Sequence, residues 1–213
     1  MAVTLRKRIS LPLVINGCVS SLVLLLGMSP TLGAFTASIT GSTNTSGAGT
    51  IVMQELDSRG AIVCMSTDGG GIDLNSATCS GTNNYGGGQG MRPGDAAVVT
   101  GSIQNAGSVS ASSFSLTPGA CVQSASGGSS GTATDFCSKV LVKISSGSYT
   151  IFSGTAESLG GAGPIDVLAR IGLMKFQPGQ LMAFTVTTTV DPAVDNSYEG
   201  LTVSQPLTWT FSA

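Results

Sequence analysis

The stretch MRPGDAAVVTGSIQNAGSV, residues 91–109, decides the fold. Pro93-Gly94 sets a turn, because proline pre-sets φ at its own position and glycine supplies the left-handed conformation that follows. Val99, Gly101 and Ile103 then alternate toward one face, the period of a half-buried strand. Asn105-Ala106-Gly107 is the next turn signal, and Val109 to Leu116 reads as a returning strand. The segment is therefore expected to be a hairpin with both ends written in the sequence.

Outward from this segment the same period of two holds. On the amino-terminal side, Thr50 to Leu56 and Ala61 to Met65 read as strands around the turn Asp57-Ser58-Arg59-Gly60. A loop rich in Gly, Asn and Ser follows from Ser66 to Gly90, too long to be a plain connection unless it is functional or held by a bridge. On the carboxyl side, Val140, Val142 and Ile144 share one face, and Tyr149 to Phe152 returns across Ser146-Gly147. Periodicity blurs between Thr155 and Lys175, where a short helix or irregular crossover is expected from Ile165 to Ile171. Phe184, Val186, Thr188 and Val190 alternate after the turn at Pro178-Gly179, and Leu207, Trp209 and Phe211 alternate to the carboxyl end. Pro206 places that last strand at an edge, or starts it after the proline. About eight to ten short strands with turn signals between them predict an all-β fold. The expected architecture is a two-sheet antiparallel sandwich of jelly-roll type over residues 49–213, with long disulfide-pinned loops.

The amino-terminal end reads differently. Arg6, Lys7 and Arg8 precede an apolar run from Leu11 to Met28, and Ser29-Pro30-Thr31-Leu32-Gly33 leads out of it. Pro12, Asn16 and Gly17 interrupt the run, which favours a cleaved secretory signal peptide over a membrane anchor. Cys18 follows Ile15-Asn16-Gly17, but the apolar run continues through Leu26, which argues against lipidation there. Thr31 and Gly33 are the small residues a signal peptidase needs, so the expected cut lies between Gly33 and Ala34 and removes residues 1–33. The mature chain then opens on Ala34-Phe35-Thr36-Ala37-Ser38-Ile39-Thr40, with Phe35, Ala37 and Ile39 on one face of an extended segment. A polar, glycine-containing linker completes residues 34–48. A strand at a free, flexibly tethered end can join its own sheet or a neighbour's.

Composition narrows the function. Without residues 1–33 the chain keeps six basic residues against eleven acidic ones, a net charge of −5. Nucleic acid is excluded as an expected partner. Four cysteines remain, Cys64, Cys79, Cys121 and Cys137, and allow three pairings. Proximity favours Cys64 with Cys79 and Cys121 with Cys137, each closing a Gly/Ser-rich loop, as suits a secreted protein. No metal and no cofactor are expected, since there is no histidine and no C-x-x-C pair. The missing histidine also removes H-E-x-x-H zinc proteolysis and Ser-His-Asp or Cys-His catalysis. A serine-lysine dyad on Lys139 or Lys143 is disfavoured because lysines in an alternating strand usually point to solvent, and Asp68-Gly69-Gly70 is a single copy of a faintly protease-like loop. No enzymatic activity is expected.

Four features carry a resemblance. They are the leader exit with Ala34-Phe35-Thr36, the strand opening Gly49-Thr50-Ile51, the turns Pro93-Gly94-Asp95 and Asn105-Ala106-Gly107 around one strand, and Asp195-Asn196-Ser197-Tyr198-Glu199-Gly200 before the last strand. Together they span most of the mature chain, which resembles the TasA/camelysin family of secreted bacterial β-sandwich proteins with a SipW-type signal peptide. The resemblance implies a jelly-roll subunit of extracellular biofilm-matrix or surface fibres. It also implies donor-strand exchange through the mature amino terminus, Ala34 to Thr40 in this chain. The two cysteine pairs and the Ser66 to Gly90 loop depart from the family pattern and read as lineage-specific decoration.

The expected partners are thus other copies of the chain, joined head to tail, other matrix or cell-surface components, and the signal peptidase. The alternative is a secreted monomeric adhesin or carbohydrate-binding module, with Asp68, Asp73 and Asn75 as calcium-type oxygen ligands and Tyr85 stacking on a sugar. These four also read as ordinary loop groups.

Overall fold

A computed structural model of the chain describes residues 45–88, 90–125 and 131–213. The leader, the Gly33–Ala34 cleavage point, the segment Ala34 to Thr40 and most of the linker lie outside the described residues.

The alternating segments form strands: β1 (Met53–Leu56), β2 (Ile62–Met65), β3 (Ala96–Asn105), β4 (Ser113–Pro118), β5 (Val122–Ala125), β6 (Val140–Ser146), β7 (Tyr149–Thr155), β8 (Ile165–Asp166), β9 (Leu181–Val190), β10 (Leu201–Ser204) and β11 (Leu207–Ser212). Short helices α1 (Phe136–Lys139), α2 (Ala156–Gly160) and α3 (Val167–Ile171) lie between them. One sheet runs β2-β1-β3-β9-β6-β7, a second runs β11-β4-β8, and β10 pairs with β5. Among the described residues every strand pairing is antiparallel.

Alternation explains the core. Ile103, Val142, Ile144, Phe184 and Val186 of the six-stranded sheet are fully buried and meet Phe114 and Leu116 of β4 in one cluster. Trp209 and Phe211 of β11 pack against the same cluster. The protein is therefore mostly β, with antiparallel sheets sharing one apolar core. No helix among the described residues is long and apolar enough to cross a membrane.

The expected hairpin around Asn105-Ala106-Gly107 is not formed. β3 has β1 and β9 as neighbours, while the following strand, β4, pairs with β11 and β8 in the other sheet. Asn105 is the physical reason. Its side chain is fully buried and donates through Nδ2 to the carbonyls of Val109 (2.9 Å) and Phe176 (3.0 Å), while its Oδ1 accepts from the Gly107 amide (3.0 Å). These bonds stitch a corner between layers, so Phe114 and Leu116 close the core from the opposite side.

Elsewhere the local chemistry acts as its residue types suggest. Asp57 Oδ1 accepts from the amides of Arg59 and Ala61, closing the β1–β2 turn, where Gly60 takes φ +82°. The blurred region resolves into α2, capped reciprocally by Thr155 and Ser158, and α3, capped by Asp166 and ended by left-handed Gly172. Both disulfides form as proximity suggests, Cys64–Cys79 and Cys121–Cys137, with Cα atoms 5.9 and 6.0 Å apart. Two such bridges suit an oxidising, non-cytoplasmic setting.

Candidate functional site

Strand β11 pairs with β4 on one side, and among the described residues no strand pairs with its other side. Leu207, Trp209 and Phe211 point inward from β11 yet stay half-buried. They line a cleft of about 770 Å³ whose opposite wall carries Ile51, Met53, Glu55 and Ile103. The loop from Ser76 to Cys79 forms a further wall, so the Cys64–Cys79 bridge is built into the side of the cleft. The Trp209 indole N–H is buried there without an acceptor among the described residues.

Glu55 is the unexpected element. Its place in the ladders, opposite Cys64 on β2 and Ile103 on β3, puts a carboxylate in an otherwise uncharged row. Its Oε1 accepts from the Asn84 side-chain amide at 3.2 Å. Burial pushes the Glu55 carboxyl above its ordinary value of 4.5, and the Asn84 bond only partly opposes that. Tyr85, beside Asn84, is pushed up to about 12 by burial, and its hydroxyl donates to Gln205 just before β11.

A second cleft of about 510 Å³ lies against Val140 and Thr188, with Tyr85, Phe136 and Tyr198 on its walls. Thr188 Oγ1 is buried without a partner among the described residues. The Tyr198 hydroxyl donates to Asp135 Oδ1 at 2.7 Å, which holds the Asp135 carboxyl below its ordinary range and raises the phenol.

The sequence-derived candidates fare unevenly. The four cysteines come together in pairs, whereas the Ala34 to Thr40 segment and the Gly33–Ala34 junction lie outside the described residues. Asp68 accepts from the Met65 amide at 2.7 Å, and Asn75 donates to the Ile51 carbonyl at 2.7 Å while accepting from Ser66. Both serve their loop. Asp68 does lie near the Cys64 and Cys79 sulfurs, but these are bonded to each other, and Asp73 is not in that group. Lys143 is exposed on the outer face of β6 and Lys139 ends α1 half-buried. Sequence reasoning passed over Glu55, although a charge in phase with Ile51 and Met53 was visible there. No protein-family model matches the chain, and no curated protein matches it significantly.

Proposed function

We propose that the protein is a secreted structural subunit that assembles head to tail into extracellular fibres. In this reading residues 1–33 are removed, and the strand Ala34 to Thr40 of one subunit enters the cleft beside β11 of the next. The side of β11 left unpaired among the described residues, next to a cleft where Ile51, Met53, Ile103 and Trp209 offer apolar contacts among polar groups, is the observation that carries it. An unpaired strand edge is a template for another chain, and added backbone hydrogen bonds supply affinity while alternate side chains supply specificity. Six residues of β11 extend about 20 Å, close to the reach of the seven-residue donor. Phe35, Ala37 and Ile39 would face the cleft, and burying Phe35 and Ile39 contributes roughly 1.5–3 kcal/mol each. The resemblance to the TasA/camelysin family supports the same reading, including a sandwich of jelly-roll type and a place in a biofilm matrix or on a cell surface with other components there. Donor and cleft on one subunit make a heterologous contact, which need not close.

The test compares residues 34–213 with residues 41–213 by negative-stain microscopy and size exclusion. Filaments from the first and monomers from the second are expected. Equal filaments from both, or monomers from both, overturn the reading. The second reading, a monomeric adhesin or carbohydrate-binding module, draws on the aromatic walls of the second cleft and on the Thr188 hydroxyl that lines it, without a partner among the described residues. Glycan binding by a protein that forms no filament would favour it.

A further inference from the structure

Resting on the strand-capture reading, we propose that Glu55 receives the α-ammonium group of the Ala34 that leads the incoming strand. Among the residues that line the cleft, Glu55 is the sole carboxylate and there is no lysine or arginine. The groups facing Glu55 are Cys64 from β2, held in a disulfide, Ile103 from β3, and Asn84 from the loop, with Tyr85 beside it neutral and Asp68 lying by the bridge. None of them is a cation. A strand laid over this cleft would strip water from an unpaired carboxylate, a cost that only an opposite charge or a proton removes.

The incoming strand is equally short of charge. Residues 34–49 contain no lysine, arginine, aspartate or glutamate, so the incoming strand brings no side-chain charge of its own. Its one cation is the amino terminus, and that group exists only after the Gly33–Ala34 bond is cut. The ends of the cleft give the direction. Glu55 is tied through Asn84 and Tyr85 to Gln205 at the start of β11, whereas Ile51 lies toward the Asn105 corner, where Phe211 packs on Phe176. A strand with its amino terminus at Glu55 therefore runs parallel to β11 and antiparallel to β1. The carboxylate so placed makes leader removal a chemical condition of capture: an uncut chain offers an amide where an ammonium is required. Before capture, the same inward charge disfavours indiscriminate pairing with other edges.

The test is a double cycle on the mature chain, residues 34–213. Four forms are compared for filament extension rate at about pH 7: the free amino terminus, the N-acetylated terminus, Glu55→Gln, and both changes together. Acetylation and Glu55→Gln are each expected to slow extension roughly tenfold, and the combination to slow it no further. The free-amine protein should also lose its advantage as pH rises past about 8, where an α-amino group loses its proton. Filaments that extend equally from free and acetylated termini, or effects that simply add, overturn the Glu55 pairing while leaving strand capture standing. Absence of filaments from every form overturns both.

Discussion

Phe184 of β9 and Trp209 of β11 meet across the two sheets with ring centroids 5.5 Å apart and planes tilted by 42°. The contact explains Gly101 as well, since a Cβ there would lie 2.7 Å from Phe184 Cζ and 3.0 Å from the Leu56 carbonyl oxygen. Truncating Phe184 to alanine leaves a cavity at the junction of the layers. The expected loss is about 3–5 kcal/mol in urea unfolding followed by Trp209 fluorescence. A loss under about 1 kcal/mol would show that the two faces do not depend on each other here.

Asn105 makes the corner between β3 and β4, so its replacement tests that corner directly. Asn105→Ala leaves the half-buried Gly107 amide and Val109 carbonyl without this partner, while the buried Phe176 carbonyl keeps only the Ala111 amide. Each unsatisfied group costs about 1–3 kcal/mol, and an overall loss of about 3 kcal/mol is expected by equilibrium unfolding. Unchanged stability would mean the main chain holds the corner without the side chain.

The bridges enclose loops with sequence separations of 15 and 16. Replacing Cys121 and Cys137 together by alanine should cost about 3 kcal/mol on the chain-entropy account, and the same for the Cys64 and Cys79 pair. Intact mass with and without reductant should show four protected thiols in residues 34–213 produced in an oxidising compartment. Any free thiol there would contradict the pairing.

Two carboxylates should act on stability with opposite sign. Burial raises Glu55 above 4.5, so its contribution is full below that unfolded value and is lost as pH rises through the higher folded one. Glu55→Gln is accordingly expected to melt above the wild type at pH 7 and to converge with it below about pH 4. Asp135 is held below 3.8 by the Tyr198 hydroxyl, so its small, solvent-screened contribution is present above 3.8 and fades in stronger acid. Parallel melting curves for wild type and Glu55→Gln across this range would refute the assignment. A variant that is more stable yet extends filaments more slowly would separate capture from folding.

The strands were legible because their side chains keep strict phase: Val140, Val142 and Ile144, and again Phe184, Val186 and Val190, are all buried. The turn at Asp57 to Gly60 and both cysteine pairs were legible from local chemistry. Which strand lies beside which was not. Asn105-Ala106-Gly107 has the composition of a tight reversal, and only the distant Phe176 carbonyl shows that its asparagine bonds across layers instead. The cleft was hidden for a similar reason, because Met53 and Trp209 are far apart in the chain and meet only in space. Glu55 could have been found by phase alone, as a charge on an apolar face.

Ser113 of β4 stands opposite Ser212 of β11, a pairing that bridges 99 positions of chain (212 − 113). Contacts this distant are made slowly, since a long segment must be brought round before any bond rewards it. The edge beside the cleft is thus closed by a late, long-range pairing. If the strand-capture reading holds, a newly made chain would offer nothing for a neighbour to grasp until β11 itself had docked, and that delay would separate the birth of a subunit from its recruitment.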